Sequence, residues 1–159
     1  MNDTIIKAEK THETLLFWFA RHDVRVALLT SLSLGMLGVL ANASASITNW
    51  MWCQGLFFGL AALLLLLSLL LIYCSQYPKT KAYNSSLIFF GAIAASKAND
   101  YVVAFKAITE EQYLADLLSQ IHTNSSILAV KFYYQKLSLI ALGLAVIPWM
   151  VALFFSKGQ

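Results

Sequence analysis

The sequence predicts an all-α integral membrane protein with a two-span hairpin, a third C-terminal span and a helical cytoplasmic region. Of its 159 residues, 59% are hydrophobic and only 12% are charged. In soluble domains about a quarter of the residues are charged. The charges also fall in separate segments, with three uncharged runs of membrane-spanning length between them. This uneven distribution favours a membrane protein with a cytoplasmic part over a uniformly apolar globule.

Residues 1–23 are predicted to form a cytoplasmic amphipathic helix. The segment starts with polar residues and ends in an apolar group, 15–19, that we place next to the membrane. It contains acidic residues and lacks both the apolar core and the small-residue cleavage site of a signal peptide. We therefore expect the first apolar run to remain in the mature protein.

Residues 24–74 are predicted to form a transmembrane hairpin with spans at about 24–43 and 50–73. Each span has roughly the 20 residues that a ~30 Å hydrocarbon core requires. A short uncharged link from Ser44 to Asn49 joins them, so both ends of the hairpin face the same side. Every Lys and Arg except Lys157 belongs to that side, which the positive-inside rule identifies as cytoplasmic.

A third uncharged run, 137–155, is long enough to cross the membrane and leaves residues 156–159 as a tail on the far side. Pro148 lies inside this run, and membrane helices tolerate proline. A re-entrant or interfacial segment is the alternative interpretation of this run.

The insert 75–136 is predicted to be helical and cytoplasmic, with Pro78 ending the second span. Thr109 and Gln112 have the spacing of a capping box, and leucines recur after them at helical spacing. The sequence His-Thr-Asn-Ser-Ser at 122–126 is predicted to break this helix, and a new helix would start near Ser126. Because the insert is too short for a core of its own, it should pack on the N-terminal helix or on a second copy.

Nothing in the sequence has the spacing of a catalytic, metal-binding or phosphate-binding motif. The adjacent acids Glu110 and Glu111 begin a helix, where the macrodipole favours negative charge. Cys53 and Cys74 lie at opposite ends of one span, too far apart for a disulfide within one chain. We therefore expect no enzymatic activity, no metal and no cofactor.

Small residues recur along both spans of the hairpin. Ala27, Ser31 and Gly35 are spaced every four residues, and Gly55 and Gly59 form a GxxxG motif. Such faces allow the backbones of two helices to approach closely in lipid. They favour either packing within the hairpin of one protomer or association between protomers.

Several polar and aromatic residues near the membrane are candidates for ligand binding. Asp23 and Arg25 are two residues apart and do not share a helix face, so each needs its own partner. They serve as interfacial anchors or as part of a ligand or coupling site. Aromatic rings, amides and cations, which together stack a base and hold a phosphate, occur between Phe89 and Lys136. Core packing and membrane-surface lysines are the alternative explanation for this second group.

Two segments resemble the Pycsar membrane-effector family. Residues 19–38, FARHDVRVALLTSLSLGMLG, resemble the opening of that family, in which an Asp-x-Lys-Ala signature precedes the first span. Residues 86–144, beginning SLIFFGAIAASKANDY, resemble its later part, with an aromatic-Gly motif and a Tyr before a short helix. A Leu-x-x-Gln-Ile pairing and a Lys-rich helix entering the last span follow. The two segments cover about half of the chain, in the right order around the hairpin.

The resemblance assigns candidate ligand-binding or coupling residues by position. The first signature contains Asp23 and Arg25, and Arg25 stands where the family usually has Lys, which keeps the charge but changes the donor geometry. The residues carried over from the later signatures are Phe90, Gly91, Tyr101, Gln120, His122 and Lys131.

The resemblance implies an anti-phage defence effector in the bacterial inner membrane. Such an effector responds to a cyclic pyrimidine mononucleotide, cyclic CMP or cyclic UMP, made by a partner cyclase. It then disrupts the inner membrane and arrests the infected cell. We expect a homo-oligomer in the bilayer and no nucleic acid polymer as a partner. A ligand-independent, holin-like pore former and a small membrane scaffold that recruits a partner are the alternative functions.

Overall fold

The computed structural model describes residues 2–48, 50–77 and 86–156. This part of the chain forms five helices, namely α1 (Asn2–Ala45), α2 (Trp52–Gln76), α3 (Phe90–Ala95), α4 (Ala98–Ala107) and α5 (Glu110–Ser156). About 90% of the described residues are helical and none of them forms a strand. The predicted all-α fold class is confirmed.

Three of these helices, α1, α2 and α5, are long and apolar enough to cross a membrane. The boundary predicted after residue 23 falls inside α1, which continues from the N-terminal segment into the first apolar run. Helix α5 passes through the third apolar run without interruption. The predictions made for Asn49, Pro78 and the tail beyond Ser156 lie outside the described residues.

The predicted break at 122–126 is wrong, because α5 is continuous from Glu110 to Ser156. The Ser125 hydroxyl donates to the carbonyl of Ile121 at 2.7 Å, and the Ser126 hydroxyl donates to that of His122 at 3.1 Å. Hydrogen bonds to the carbonyl four residues back satisfy serine hydroxyls inside a helix. Ser125 and Ser126 are therefore compatible with a helix, although the polar composition of 122–126 argued against one.

The predicted capping box at the start of α5 is confirmed. The backbone N–H of Gln112 donates to Thr109 Oγ1 at 3.2 Å, and that of Thr109 donates to Gln112 Oε1 at 3.1 Å. Two otherwise unpaired donors at the helix start are satisfied in this way. The acids Glu110 and Glu111 occupy the first turn, as expected.

The chain divides into two compact units, which we call unit 1 (Met1–Arg21 and Pro78–Ala129) and unit 2 (His22–Tyr77 and Val130–Gln159). In unit 1 the insert packs on the N-terminal helix, which is one of the two alternatives given above. The Tyr113 hydroxyl donates to Glu9 Oε1 at 3.0 Å and so joins the start of α5 to α1. Burial raises the pKa of Tyr113, and the carboxylate of Glu9 raises it further.

Unit 2 is a three-helix bundle whose buried side chains recur every seven residues. In α2 these are Gln54, Ala61, Ser68 and Ser75, in α1 Val26, Ser33 and Leu40, and in α5 Ser138, Ala145 and Ala152. A seven-residue period is typical of helices packed in a left-handed coil. Contacts of Ser68 with both Ser33 and Ser138 show that α2 runs against the other two helices.

Apolar layers fill the half of unit 2 nearer the hairpin turn. Met36, Leu65, Leu142 and Ala145 form one layer, and Leu40, Ile47, Phe58, Ala61 and Ala152 form the next. Trp149 packs against both layers, and its indole N–H donates to the carbonyl of Met36 at 2.9 Å. This bond holds α5 against α1 immediately after Pro148.

Replacing Thr109 with alanine should destabilise the start of α5 by about 1 kcal/mol, because the helix loses its N-cap. Hydrogen exchange of the first-turn amides in detergent-solubilised protein measures the change. Ser125→Ala is the matched control, since its hydroxyl already lies inside a helix, and it should cost no more than about 0.5 kcal/mol. Equal losses in the two variants would contradict the assigned helix start.

Candidate functional site

A group of polar side chains, which we call the polar node, joins the three helices of unit 2 at the end opposite the hairpin turn. Helix α1 contributes two of its members, α2 two and α5 one. The members are His22, Asp23, Ser75, Gln76 and Lys131. The node therefore unites Asp23 and Lys131, which the sequence analysis placed in different signatures.

His22 is the centre of the polar node and is fully buried. Its Nε2 lies 3.0 Å from Ser75 Oγ, and its Nδ1 lies 3.2 Å from Asp23 Oδ1. The Phe132 ring meets the imidazole edge to face, with ring centroids 5.4 Å apart. The two hydrogen-bonding contacts and the Phe132 ring thus fix the orientation of the His22 imidazole.

The position of the ring hydrogen on His22 decides where the Ser75 hydroxyl points. Ser75 Oγ also lies 3.1 Å from the carbonyl oxygen of Lys131 and has a single proton to donate. A ring with its hydrogen on Nδ1, facing Asp23, accepts the Ser75 proton at Nε2. A ring with a hydrogen on Nε2 donates to Ser75 instead, and the hydroxyl then donates to the Lys131 carbonyl, which completes a hydrogen-bonded path from α1 through α2 to α5.

Asp23 is the acceptor at the exposed edge of the node. Gln76 Nε2 donates to its Oδ1 at 3.3 Å, and Lys131 Nζ lies 3.8 Å from the same oxygen. Lys131 Nζ also donates to Gln76 Oε1 at 3.0 Å. Burial raises the pKa of the Asp23 carboxyl, but the hydrogen bonds from His22 and Gln76 and the charge of Lys131 outweigh it, so the pKa lies below its usual value. Asp23 is therefore ionised at neutral pH and pairs with Lys131.

The Ser75–His22–Asp23 connectivity is the one found in hydrolase triads. Ser75, however, is only 2% exposed and lies in the last turns of a helix that packs on two others. A substrate has no access to this hydroxyl in the packed bundle. The geometry thus favours a connection between helices over nucleophilic chemistry.

A second polar cluster lies in unit 1 and holds the segment 86–91 in place. Asp116 Oδ2 accepts hydrogen bonds from Ser86 Oγ at 3.0 Å and from the Leu87 N–H at 2.9 Å. Ser86 Oγ in turn accepts from Gln120 Nε2 at 3.2 Å, and Tyr101 Oη donates to the Leu87 carbonyl at 3.3 Å. Tyr101 and Gln120, both predicted site residues, therefore position the chain just before α3.

Phe90 and Gly91 lie at the start of α3, directly after this cluster. Phe90 is 70% exposed, and its ring centroid is 4.7 Å from that of Phe89. A Cβ atom on Gly91 would lie 2.5 Å from Cε1 of the Phe89 ring. Glycine at 91 therefore allows the Phe89 ring to fold back on the helix start, while the Phe90 ring remains available to a ligand.

The remaining predicted residues are not brought into either cluster. Arg25 and His122 are exposed, and no side-chain hydrogen bond to another described residue is found for either.

The small residues Ala27, Ser31, Gly35, Gly55 and Gly59 are exposed on the outside of unit 2. A Cβ atom added at any of these three glycines would meet no atom within 4 Å. The glycines therefore do not pack within the hairpin of one protomer, which was one of the two interpretations.

A shallow cleft of about 290 Å³ lies in unit 1. Its walls are mostly apolar, and two polar side chains contribute an amide and a carboxylate. The lining residues are Leu87, Ala104, Ala107, Ile108, Gln112 and Asp116. The cleft is close in size to the smallest typical sites for small molecules, which begin at about 300 Å³. Since Asp116 also anchors the segment before α3, an occupant of the cleft would contact the second polar cluster directly.

Sequence reasoning missed His22, Ser75, Ser86 and Asp116. No sequence motif indicates His22, because two of its three partners, Ser75 and Phe132, come from other helices. A usable signal was present in α2, where Ser68 and Ser75 are seven residues apart within an apolar run. Polar residues in membrane helices usually face the interior of a bundle, so this spacing indicates a buried polar seam.

Three helices that are long and apolar enough to cross a membrane, with a helical insert between the second and third, fit a small membrane protein. The family model of the Pycsar effector protein domain, PycTM, matches residues 7–156. The chain therefore belongs to the Pycsar effector family, which acts in cyclic-nucleotide anti-phage defence. Membership implies a response to a cyclic nucleotide from a partner cyclase. No curated protein and no solved structure matches the chain.

The polar node should contribute cooperatively to the stability of unit 2. His22→Ala and Ser75→Ala should each destabilise the protein, and the two losses should couple by about 1 kcal/mol, because both substitutions remove the same buried hydrogen bond. Unfolding in mixed micelles of dodecyl maltoside and dodecyl sulfate measures this cycle. Arg25→Ala, on an exposed side chain, is the control and should be nearly neutral. Strictly additive losses would show that His22 and Ser75 do not interact.

Proposed function

We propose that this protein binds cyclic CMP or cyclic UMP directly and then disrupts the bacterial inner membrane, which arrests the infected cell. The observation that carries the proposal is the Pycsar effector domain in a chain with three helices able to cross a membrane. In this proposal unit 1 receives the nucleotide, the helices of unit 2 disrupt the bilayer, and the protein has no enzymatic activity. The N-terminus and the insert face the cytoplasm, where the positive-inside rule places their basic residues.

The cleft of unit 1 supports this assignment of the nucleotide site. Its apolar walls, including Leu87 and Ile108, suit the flat face of a base, and the Gln112 amide and the Asp116 carboxylate suit its polar edge. Lys106 is exposed in the helical turn of α4 that also contains Ala104 and Ala107. A lysine there supplies the positive charge that the cyclic phosphate requires.

The energy required of the ligand is modest. A ligand shifts a conformational equilibrium only through its different affinities for the two states. A change from mostly inactive to mostly active takes about 5.5 kcal/mol of such preference. A few hydrogen bonds to charged groups, each contributing roughly 1.5–3 kcal/mol, are sufficient. The contacts of Asp116 with Ser86 and Leu87 connect such bonds to the segment before α3.

Isothermal titration of the full-length protein in detergent with cyclic CMP and cyclic UMP tests the proposal. We expect micromolar binding of at least one of the two nucleotides. Ala104→Leu, which fills the cleft, should weaken this binding about tenfold or more, corresponding to at least ~1.4 kcal/mol. Val103→Leu is the matched control, because Val103 is 68% exposed and does not line the cleft.

Two results would contradict the proposal in different ways. If neither nucleotide binds, the trigger is not a direct cyclic pyrimidine ligand, and a ligand-independent pore former becomes the better explanation. If both leucine variants bind like the wild type, a nucleotide binds this protein but not in the cleft.

We further propose that the protein acts as a homo-oligomer whose protomers meet through the glycine face of α2. Gly55 and Gly59 are exposed on the outside of unit 2 with open space beside them, as a face for a second helix requires. Replacing both with leucine should reduce the growth arrest that follows co-expression with the partner cyclase. Gly143→Leu is the control, since Gly143 also faces open space but lies on α5. Undiminished arrest in the double variant would exclude this face from the active assembly.

A further inference from the structure

Among the described residues, the buried hydroxyl groups of unit 2 all lie in the half away from the hairpin turn, beside the apolar Val26 and Ile72, whereas the other half is apolar except for Gln54 at the start of α2. From the polar node towards the hairpin turn, the buried positions of α5 are Gln135 and then Ser138. Ser68 Oγ lies 2.8 Å from Ser138 Oγ, 3.2 Å from the Ser138 carbonyl and 3.4 Å from Ser33 Oγ. Each of the three helices thus contributes one fully buried hydroxyl to a single layer, which we call the serine layer.

Gln135 lies between the polar node and the serine layer on the buried side of α5. It is 9% exposed, and its Oε1 atom is buried and accepts no hydrogen bond from any described residue. An unsatisfied buried acceptor destabilises a folded protein. Polar side chains whose only role is to hold membrane helices together are expected to form hydrogen bonds with one another, as the three serines do. The Gln135 amide therefore indicates a position that a small polar species reaches.

The polar half ends abruptly at the next layer. Met36, Leu65 and Leu142 pack directly beyond the serine layer, and Leu65 is fully buried. Hydrophobic constrictions of this kind close channels by excluding water. Polar residues that face the interior of a membrane bundle commonly mark the paths of ions.

We propose that the interior of unit 2 is an ion pathway, lined by Gln135 and the serine layer and closed by the two apolar layers beyond them, of which Met36, Leu65 and Leu142 form the first. Its lining consists of hydroxyl, amide and carbonyl oxygens without a fixed charge, which suits water and small monovalent cations. This inference rests on the proposed membrane-disrupting function and assigns the disruption to the inner face of the bundle.

The first test of the ion pathway measures potassium release from vesicles in the absence of nucleotide. Full-length protein is reconstituted into potassium-loaded vesicles of phosphatidylethanolamine and phosphatidylglycerol, and potassium release is followed with an electrode. Leu65→Ser should release potassium about tenfold faster than the wild type or more, since ~1.4 kcal/mol in favour of the open state raises its population tenfold. Leu66→Ser is the matched control, because Leu66 is 57% exposed on the outside of the bundle.

The pattern of release decides the outcome. Release from Leu65→Ser alone supports the pathway. Equal release from both variants would show general damage by a polar residue in the membrane, and no release from a helical, inserted Leu65→Ser protein would show that the apolar layer is not a gate. Circular dichroism and size-exclusion chromatography confirm that the variants are folded.

The lining is tested in the same leaking background. Adding Gln135→Leu to Leu65→Ser should slow potassium release without lowering stability, because it removes an unsatisfied amide. Ser138→Cys, with both native cysteines replaced by alanine, should react with a water-soluble thiosulfonate reagent and lose conductance. Leu139→Cys, at a position 57% exposed on the outside, should do neither. Potassium release that persists unchanged in both the Gln135 and the modified Ser138 variants would place the ion path elsewhere.

These tests use no nucleotide and are independent of the trigger. If calorimetry finds no nucleotide binding while Leu65→Ser leaks and Leu66→Ser does not, the pathway stands and the proposed trigger fails. If nucleotides bind and damage vesicles while the interior variants behave like the wild type, the trigger stands and the pathway fails.

Discussion

Buried hydroxyl groups in unit 2 must find hydrogen-bond partners, and this constraint sets the register of its three helices. Lipid chains are as apolar as leucine, so burial of apolar side chains provides little force to bring membrane helices together. An unpaired polar group in hydrocarbon is costly, however. Ser68 meets Ser33 and Ser138, and seven residues further on Ser75 meets His22 and the Lys131 carbonyl. Because two such layers must align at once, a slip of one turn along any helix would leave several groups unpaired.

The same constraint divides each helix into faces with different roles. Serines, small alanines and the leucines between them face inward and hold the bundle, whereas the glycines of α1 and α2 lie outside. A face free of inward contacts is available to a second protomer in the proposed assembly. The polar inner face is the part that a conformational change would expose to water. The two proposals therefore place association and permeation on different faces of the same helices.

In the proposed function, two sets of contacts would couple ligand binding to the helices. Segment 86–91 is held by Asp116 and Gln120 of α5, so the proposed ligand in the neighbouring cleft would act directly on the start of the longest helix. Asp23, ionised and paired with Lys131, belongs to the polar node that ties α5 to α1 and α2. Of the residues carried over from the family signatures, Tyr101 and Gln120 thus support a loop, and Asp23 and Lys131 join helices. In the present structure only Phe90 among the aromatic candidates is largely exposed.

The sequence by itself determined the fold class, the three apolar helices, the capping box at Thr109 and the family. Each of these depends on local properties, namely the length and hydropathy of a run, the spacing of two residues, or the order of short motifs. Tertiary structure alone decided that 122–126 is helical, that the glycines lie outside, and that His22 pairs with Ser75, 53 residues away. The spacing of small residues identifies a face of a helix, but it does not determine which helix, if any, packs against that face. A buried hydrogen bond between helices depends on their register, which local sequence does not encode.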